Sequence, residues 1–274
     1  MTKHQDPSQE KMPFTRQAAI LGVVGGAAMG FITGSIEGVG HHFGGFADVV
    51  LGVIGAGVGG FVGYSAVKSY IARSNALKDW CREHGWTWLG SHSPWDRGVA
   101  DFKSAVKKSK IFWKNASWRE VLVRDVGETP AIFAIRSIQR ENEPDRTASF
   151  LIVHYPGTCP DTTIESPHVT DWLPKMNGMH KVEFESIDFN QHWRVFSKDP
   201  KSAYDHIDQK TIEYLESHDL KPAIELIDQV LIIRFEPGHE GDAGRETHMR
   251  WVERFSEAVP DDLVKPMTLL AGTS

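Results

Sequence analysis

With two cysteines in 274 residues, Cys81 and Cys159, the chain cannot rest on a disulfide framework. Neither belongs to a C-x-x-C or any other metal-ligand spacing. An excess of positive charge is also missing. Thirty Lys and Arg stand against 36 Asp and Glu, a formal net charge of −6, which argues against a general affinity for nucleic acid. No G-x-S-x-G, H-E-x-x-H or Walker A sequence occurs, so none of these motifs supplies a catalytic residue, a cofactor site or a metal site. Wholesale disorder is excluded too, because 41% hydrophobic and 24% charged residues are the proportions of a folded chain. Flexibility is expected only at residues 1–15.

Charge is also absent locally, and there the absence is informative. Ala18 to Ile36 and Val49 to Val67 are two apolar runs of 19 residues each, without one charged side chain. At 1.5 Å per helical residue each covers roughly 28 Å, close to the hydrocarbon thickness of a bilayer. Lys3, Lys11 and Arg16 precede the first run, and Lys68, Arg73, Lys78 and Arg82 follow the second. The connecting loop, Glu37 to Asp48, holds two acidic residues, His41 and His42, and no Lys or Arg. That asymmetry predicts a two-helix hairpin over 16–75 in the inner (cytoplasmic) membrane, with both termini cytoplasmic. Phe14, Phe43, Phe46 and Tyr70 fall near the expected interfaces. A cleaved signal peptide fits poorly, because a second apolar run with a basic flank follows directly.

Glycine is abundant within both runs. Gly22, Gly26, Gly30, Gly34 and Gly38 recur at every fourth position of the first. Gly52, Ala56 and Gly60 do so in the second, beside a row of Gly55, Gly59 and Gly63. Small residues at this spacing let helix backbones approach closely in lipid, within the hairpin or between chains as a homo-oligomer. The same glycines allow a rival reading. Gly55, Gly57 and Gly60 satisfy G-x-G-x-x-G, the phosphate-cradling turn of flavin- or NAD-dependent oxidoreductases, with Asp79 about twenty residues on. Gly241-Asp242-Ala243-Gly244 resembles a second flavin-contacting motif. The context opposes it: Ala76 to His84 has a helical pattern where a second strand should end, and no strand leads straight into Gly241.

Six of the nine tryptophans lie between Trp80 and Trp118. Among them, Lys103, Lys107, Lys110 and Lys114 recur at a spacing that predicts one basic helical face and makes them candidates for lipid contact. The tryptophans are expected to supply core to the domain that follows. Residues 76–117 thus read as a juxtamembrane segment, and 118–274 as a cytoplasmic domain. From residue 76 onward, 25 Lys and Arg face 32 Asp and Glu, so this part is acidic.

Strands are expected over Trp118 to Val126, Pro130 to Arg140 and Ala148 to Tyr155, with a hairpin of Val182 to Ser186 and Trp193 to Ser197. A further hairpin is expected from Ile224 to Phe235, turning at Asp228-Gln229. Asp199-Pro200 is a helix start leading through to His218, and a second helix covers about Gly244 to Ala258. Strands joined by short turns imply an antiparallel sheet with flanking helices, so the class is α+β. Two weak constellations remain. Cys159 with His154 is poorly placed for a nucleophile pair, and His239, Glu240, Asp242 and His248 lie in a glycine-rich acidic loop of the kind that is usually solvated.

Gly85-Trp86, Ile187-Asp188-Phe189-Asn190, Trp193-Arg194-Val195 and Asp199-Pro200-Lys201-Ser202-Ala203-Tyr204 together resemble an uncharacterised family of actinobacterial membrane-anchored proteins. The likeness covers roughly residues 76–265, while the N-terminal part resembles glycine-zipper transmembrane hairpins. It implies transmembrane segments followed by a soluble domain, and it implies no activity, cofactor or catalytic residue. The chain departs from the family over Lys103 to Lys114, where a more glycine-rich turn is expected. The function these features suggest is non-enzymatic: an anchor presenting an acidic domain to a lipid bilayer or an unknown protein partner. A pore-forming or membrane-perturbing oligomer is the alternative from the same helices.

Overall fold

The computed structural model describes residues 64–65, 68–96, 100–113, 115–126, 129–138, 146–155, 160–167, 178–236, 242–260, 267 and 269–270. The chain divides into two units, Met1–Ala76 and Leu77–Ser274. In the first, residues 64–65 and 68–76 are helical. The two apolar runs and all their glycines fall outside the described residues, apart from the Tyr64-Ser65 pair. Among the described residues no helix is long and apolar enough to cross a membrane.

The second unit is an α+β domain built on nine strands: β1 (Thr87–Gly90), β2 (Ser117–Val126), β3 (Thr129–Ile138), β4 (Arg146–His154), β5 (Thr162–Glu165), β6 (His180–Val182), β7 (Arg194–Ser197), β8 (Ala223–Ile227) and β9 (Val230–Phe235). They form one sheet in the order β1-β2-β3-β4-β9-β8-β5-β7-β6. All eight pairings are antiparallel. Among the described residues six helical stretches accompany it: α1 (residues 77–83), α2 (Ala100–Lys108), α3 (Ile187–His192), α4 (Pro200–His206), α5 (Gln209–Ser217) and α6 (Asp242–Ala258).

Strands β4, β8 and β9 are almost continuously apolar because both faces of the sheet are covered. Alternate residues go to opposite cores. Leu151, Val153, Leu231 and Ile233 join Leu77, Trp80 and Cys81 of α1, Leu215 of α5, and Met249, Val252 and Phe255 of α6. Phe150, Ile152, Val230 and Ile232 join Phe102, Ala105 and Val106 of α2. The described tryptophans are core: Trp80, Trp86, Trp193 and Trp251 are buried, and Trp88, Trp95, Trp113 and Trp118 pack against the two clusters.

The residues of the family resemblance have packing roles. Asn190 extends the chain's pairing by accepting from the Phe184 amide at 3.0 Å and donating to its carbonyl at 2.6 Å. Phe189 and Trp193 are buried against each other. Asp199 caps α4, accepting from the Lys201 amide at 3.1 Å, with Pro200 in the first turn. The single helix expected to reach His218 is instead two. Asp208 caps a second start through the Thr211 amide at 2.8 Å, so the chain bends at Ile207. Likewise the hairpin strand expected at Val182 to Ser186 lies earlier, at His180–Val182, and shares only Val182 with that expectation. β6 ends at Val182, and Ser186 caps α3, which lies between β6 and β7.

A bulge in β2 between Trp118 and Glu120 decides which residues face which core. Trp118 points to the α2 side, opposite Arg136, while Glu120 turns to the α6 side. There its carboxylate takes Nε (3.1 Å) and Nη2 (2.6 Å) of Arg245, and Arg245 also lies over the Trp80 ring at 4.9 Å. The pair is almost fully buried, with 1% and 11% side-chain exposure. Removing one partner leaves a desolvated charge, so Glu120→Ala is expected to cost about 3 kcal/mol in equilibrium denaturant unfolding. The β8–β9 turn makes the opposite prediction. Asp228 and Gln229 both adopt positive φ, 50° and 62°, in the two-residue loop. Glycine relieves that strain, so Gln229→Gly should gain about 1 kcal/mol in the same assay.

Candidate functional site

On the face of the sheet away from α6 lies the segment singled out by its lysines. Phe102, Ala105 and Val106 bury one side of α2, leaving Lys103 and Lys107 exposed on the other. The helix stops at Lys108, so the four-lysine helical face expected over 103–114 is not continuous. Lys110 is exposed beyond the helix end, and Lys114 lies outside the described residues. Lys108 is bonded to Asp228 of the β8–β9 turn at 2.6 Å, and this hydrogen bond raises its pKa. Lys103 and Lys107 form no ion pair among the described residues, while Lys110 acts electrostatically on Glu225.

The helix ends where it does because buried polar groups of the sheet capture the next residues. The Ser109 amide makes a last helical bond to the Ala105 carbonyl at 2.8 Å. Its hydroxyl is buried, donates to Glu225 of β8 and accepts from the Phe112 amide at 3.0 Å. The Lys110 amide meets both carboxylate oxygens of Glu225 at 3.1 Å. Arg234 of β9 donates to the Ile111 carbonyl at 3.1 Å and pairs with Glu236 at 2.8 Å. Arg136 of β3 donates to the Ala116 carbonyl. Three charged side chains from three strands therefore satisfy the backbone of one irregular segment, which could not otherwise be buried.

Aromatic rings complete the arrangement. The Arg136 guanidinium lies 4.1 Å from the Trp118 ring centre and 4.5 Å from that of Phe112. Phe112 packs on Phe150 at 4.9 Å, and Trp95 meets Trp118 edge-on at 5.7 Å. Burial alone pulls the Arg136 pKa down to about 10. Burial also raises the Glu225 carboxyl, against the lowering effect of its bonds to Ser109, Lys110 and Ile111. Arg136, Glu225 and Arg234 went unnoticed in the sequence, although each is a charge set among apolar neighbours in a strand.

The other candidates are dispersed. Asp79 is on a helix and pairs with Arg82 at 2.9 Å, so no strand carries it toward a ribose. No parallel pairing occurs among the described strands, and Gly55, Gly57 and Gly60 lie outside the described residues. His248 is buried and stacked on Phe235 at 4.1 Å, whereas His239 and Glu240 lie outside the described residues. Among the described residues no group of three or more His, Cys, Asp or Glu could hold a metal. His154 ends β4, Cys81 is buried, and Cys159 lies outside the described residues. The packing glycines, Gly22, Gly26, Gly30, Gly34, Gly52, Gly55, Gly59, Gly60 and Gly63, do so too.

The chain is similar to the crystal structure of the mycobacterial trehalose monomycolate transport factor A, TtfA, with a TM-score of 0.49. Identity is 13%, over 70% of this chain and 95% of that one. No family model matches the chain, and no curated protein matches it. Likeness at that level does not bear on what this chain does.

The raised Glu225 pKa has a definite sign. A buried carboxyl that holds its proton more tightly in the folded state than in the unfolded one contributes stability below the ordinary carboxylate range, lost as pH rises through its folded value. Glu225→Gln mimics the protonated form. The variant should therefore gain on the parent as pH rises from the carboxylate range toward neutrality, with the two converging in acid. Urea unfolding across that window measures the gap, and a gap independent of pH would rule out the titration.

Proposed function

We propose that the chain is a non-enzymatic integral membrane protein, anchored by a two-helix hairpin over 16–75. In this reading the acidic α+β domain is presented on the cytoplasmic side of the inner membrane for lipid or protein contact. Supporting it most directly is an imbalance: Lys103, Lys107 and Lys110 are exposed on a domain that is otherwise acidic, the first two without an ion-pair partner among the described residues. The backbone at the end of their helix is held to the sheet through Glu225, which fixes where that surface lies on the domain. Lysines near an anionic leaflet contribute about 1 kcal/mol each, enough together to hold a domain already tethered nearby.

The anchor and the lysine surface are tested separately. Full-length chain should stay in the membrane pellet through alkaline carbonate and enter solution only with detergent; release by carbonate would overturn the hairpin. Reconstituted into phosphatidylglycerol vesicles, the same protein should show Lys103, Lys107 and Lys110 acetylated more slowly than in phosphatidylcholine. Equal labelling in the two lipids would remove lipid contact from the reading and leave protein contact. If the small-residue rows also join chains, Gly30→Leu abolishes cross-linked oligomers while leaving carbonate resistance intact.

A further inference from the structure

Among the described residues of the sheet unit three arginines are buried, and they differ in how their charge is met. Arg245 faces Glu120, and Arg234 faces Glu236. Arg136, with 3% of its surface exposed, faces no carboxylate among the described residues. Among the described residues its one hydrogen-bond acceptor is the Ala116 carbonyl, and its Nε has none. A guanidinium stays charged at any physiological pH, so burying it without an anion is costly. The two flanking rings, Phe112 and Trp118, offset part of that cost through cation–π attraction. Their centres are 5.9 Å apart, so they meet the guanidinium from adjoining directions, and Nε on its edge is left without an acceptor.

Trp118 stands on β2, and Trp95 leans edge-on against it from the turn Pro94–Asp96. Both are only partly buried, whereas Phe112 beneath is closed in. We propose that Arg136 is the receptor for an oxyanion, a carboxylate or a phosphate, taken up in the plane of its guanidinium when the Trp118 ring swings aside. Planar two-oxygen groups match that edge in a way a single carbonyl does not. Phe112, Phe150 and Trp95 make the surroundings apolar, which suits an anion carried on an apolar body as well as a free one. The site does not depend on Lys103, Lys107 or Lys110, so it stands or falls apart from the function proposed above.

The test uses the full chain in a neutral detergent, with tryptophan emission followed during titration with inorganic phosphate and, separately, with dodecyl phosphate. Saturable change with either probe is expected. Response to inorganic phosphate identifies a free anion as sufficient, and response to dodecyl phosphate alone identifies a lipid-like headgroup. Arg136→Lys keeps the charge and loses the planar fork, so it should bind about tenfold more weakly or worse while still melting cooperatively. Substituting Lys103, Lys107 and Lys110 by Gln together should leave both titrations unchanged. Should Arg136→Lys fail to fold, the wild type labelled with 15N-arginine decides: one Nε–H resonance shifts saturably with the bound probe. No saturable response to either probe, Arg136→Lys titrating like the parent, or no shifted Nε–H resonance would overturn the proposal.

Discussion

Glu225 sits near the middle of the sheet, buried, on a strand whose other side chains are apolar. A carboxylate there has to be met by donors, and the chain supplies them from far away in sequence: the Ser109 hydroxyl and the Lys110 amide. That one requirement ends α2 after Lys108 and starts an irregular segment that runs flat on the sheet. Ile111 and Phe112 then fall into the core beneath, and the Ala116 carbonyl meets Arg136 at the start of β2. The exposed lysines and the ring-covered arginine are thus two results of the same constraint, one on each side of the segment.

Much of the fold was legible because its signals are local. Asp199-Pro200 reads as a helix start since the cap and the fixed proline φ act within one turn. The β2–β3–β4 meander and the turn at Asp228-Gln229 were likewise readable, from apolar runs separated by polar breaks. β1 and β5 were not. Each has four residues, and β5 reads Thr-Thr-Ile-Glu, a polar sequence made into a strand only by pairing with β7 and β8. The break at Asp208 was hidden because the apolar spacing of Ile207, Ile212 and Leu215 suits one long helix as well as two.

The candidate site was legible by half. Lys103, Lys107 and Lys110 were visible as charge, and exposure is the ordinary state of lysine. What orders them was invisible, because Ser109 and Glu225 are 116 positions apart and no short-range pattern links them. Helical periodicity then extended the basic face to Lys114, past the point where tertiary hydrogen bonds end the helix. A charge inside an apolar strand is the available sign of such long-range partners. Arg136, Glu225 and Arg234 all carried it.

The strand order has a bearing on how the chain is made. β1 to β4 are neighbours in sequence and can zip together as soon as they leave the ribosome. β4, however, completes its pairing only with β9, whose residues are synthesised much later: Phe150 is matched to Arg234. Until then Phe150 to Val153 stand at an open edge, four apolar residues with free amides and carbonyls. Newborn chains therefore pass through a stage with one sticky border, which closes when the β8–β9 hairpin arrives as a ready-made pair. Slow translation of residues 155–235 lengthens that exposure, and chaperones that recognise extended apolar segments have their clearest target there.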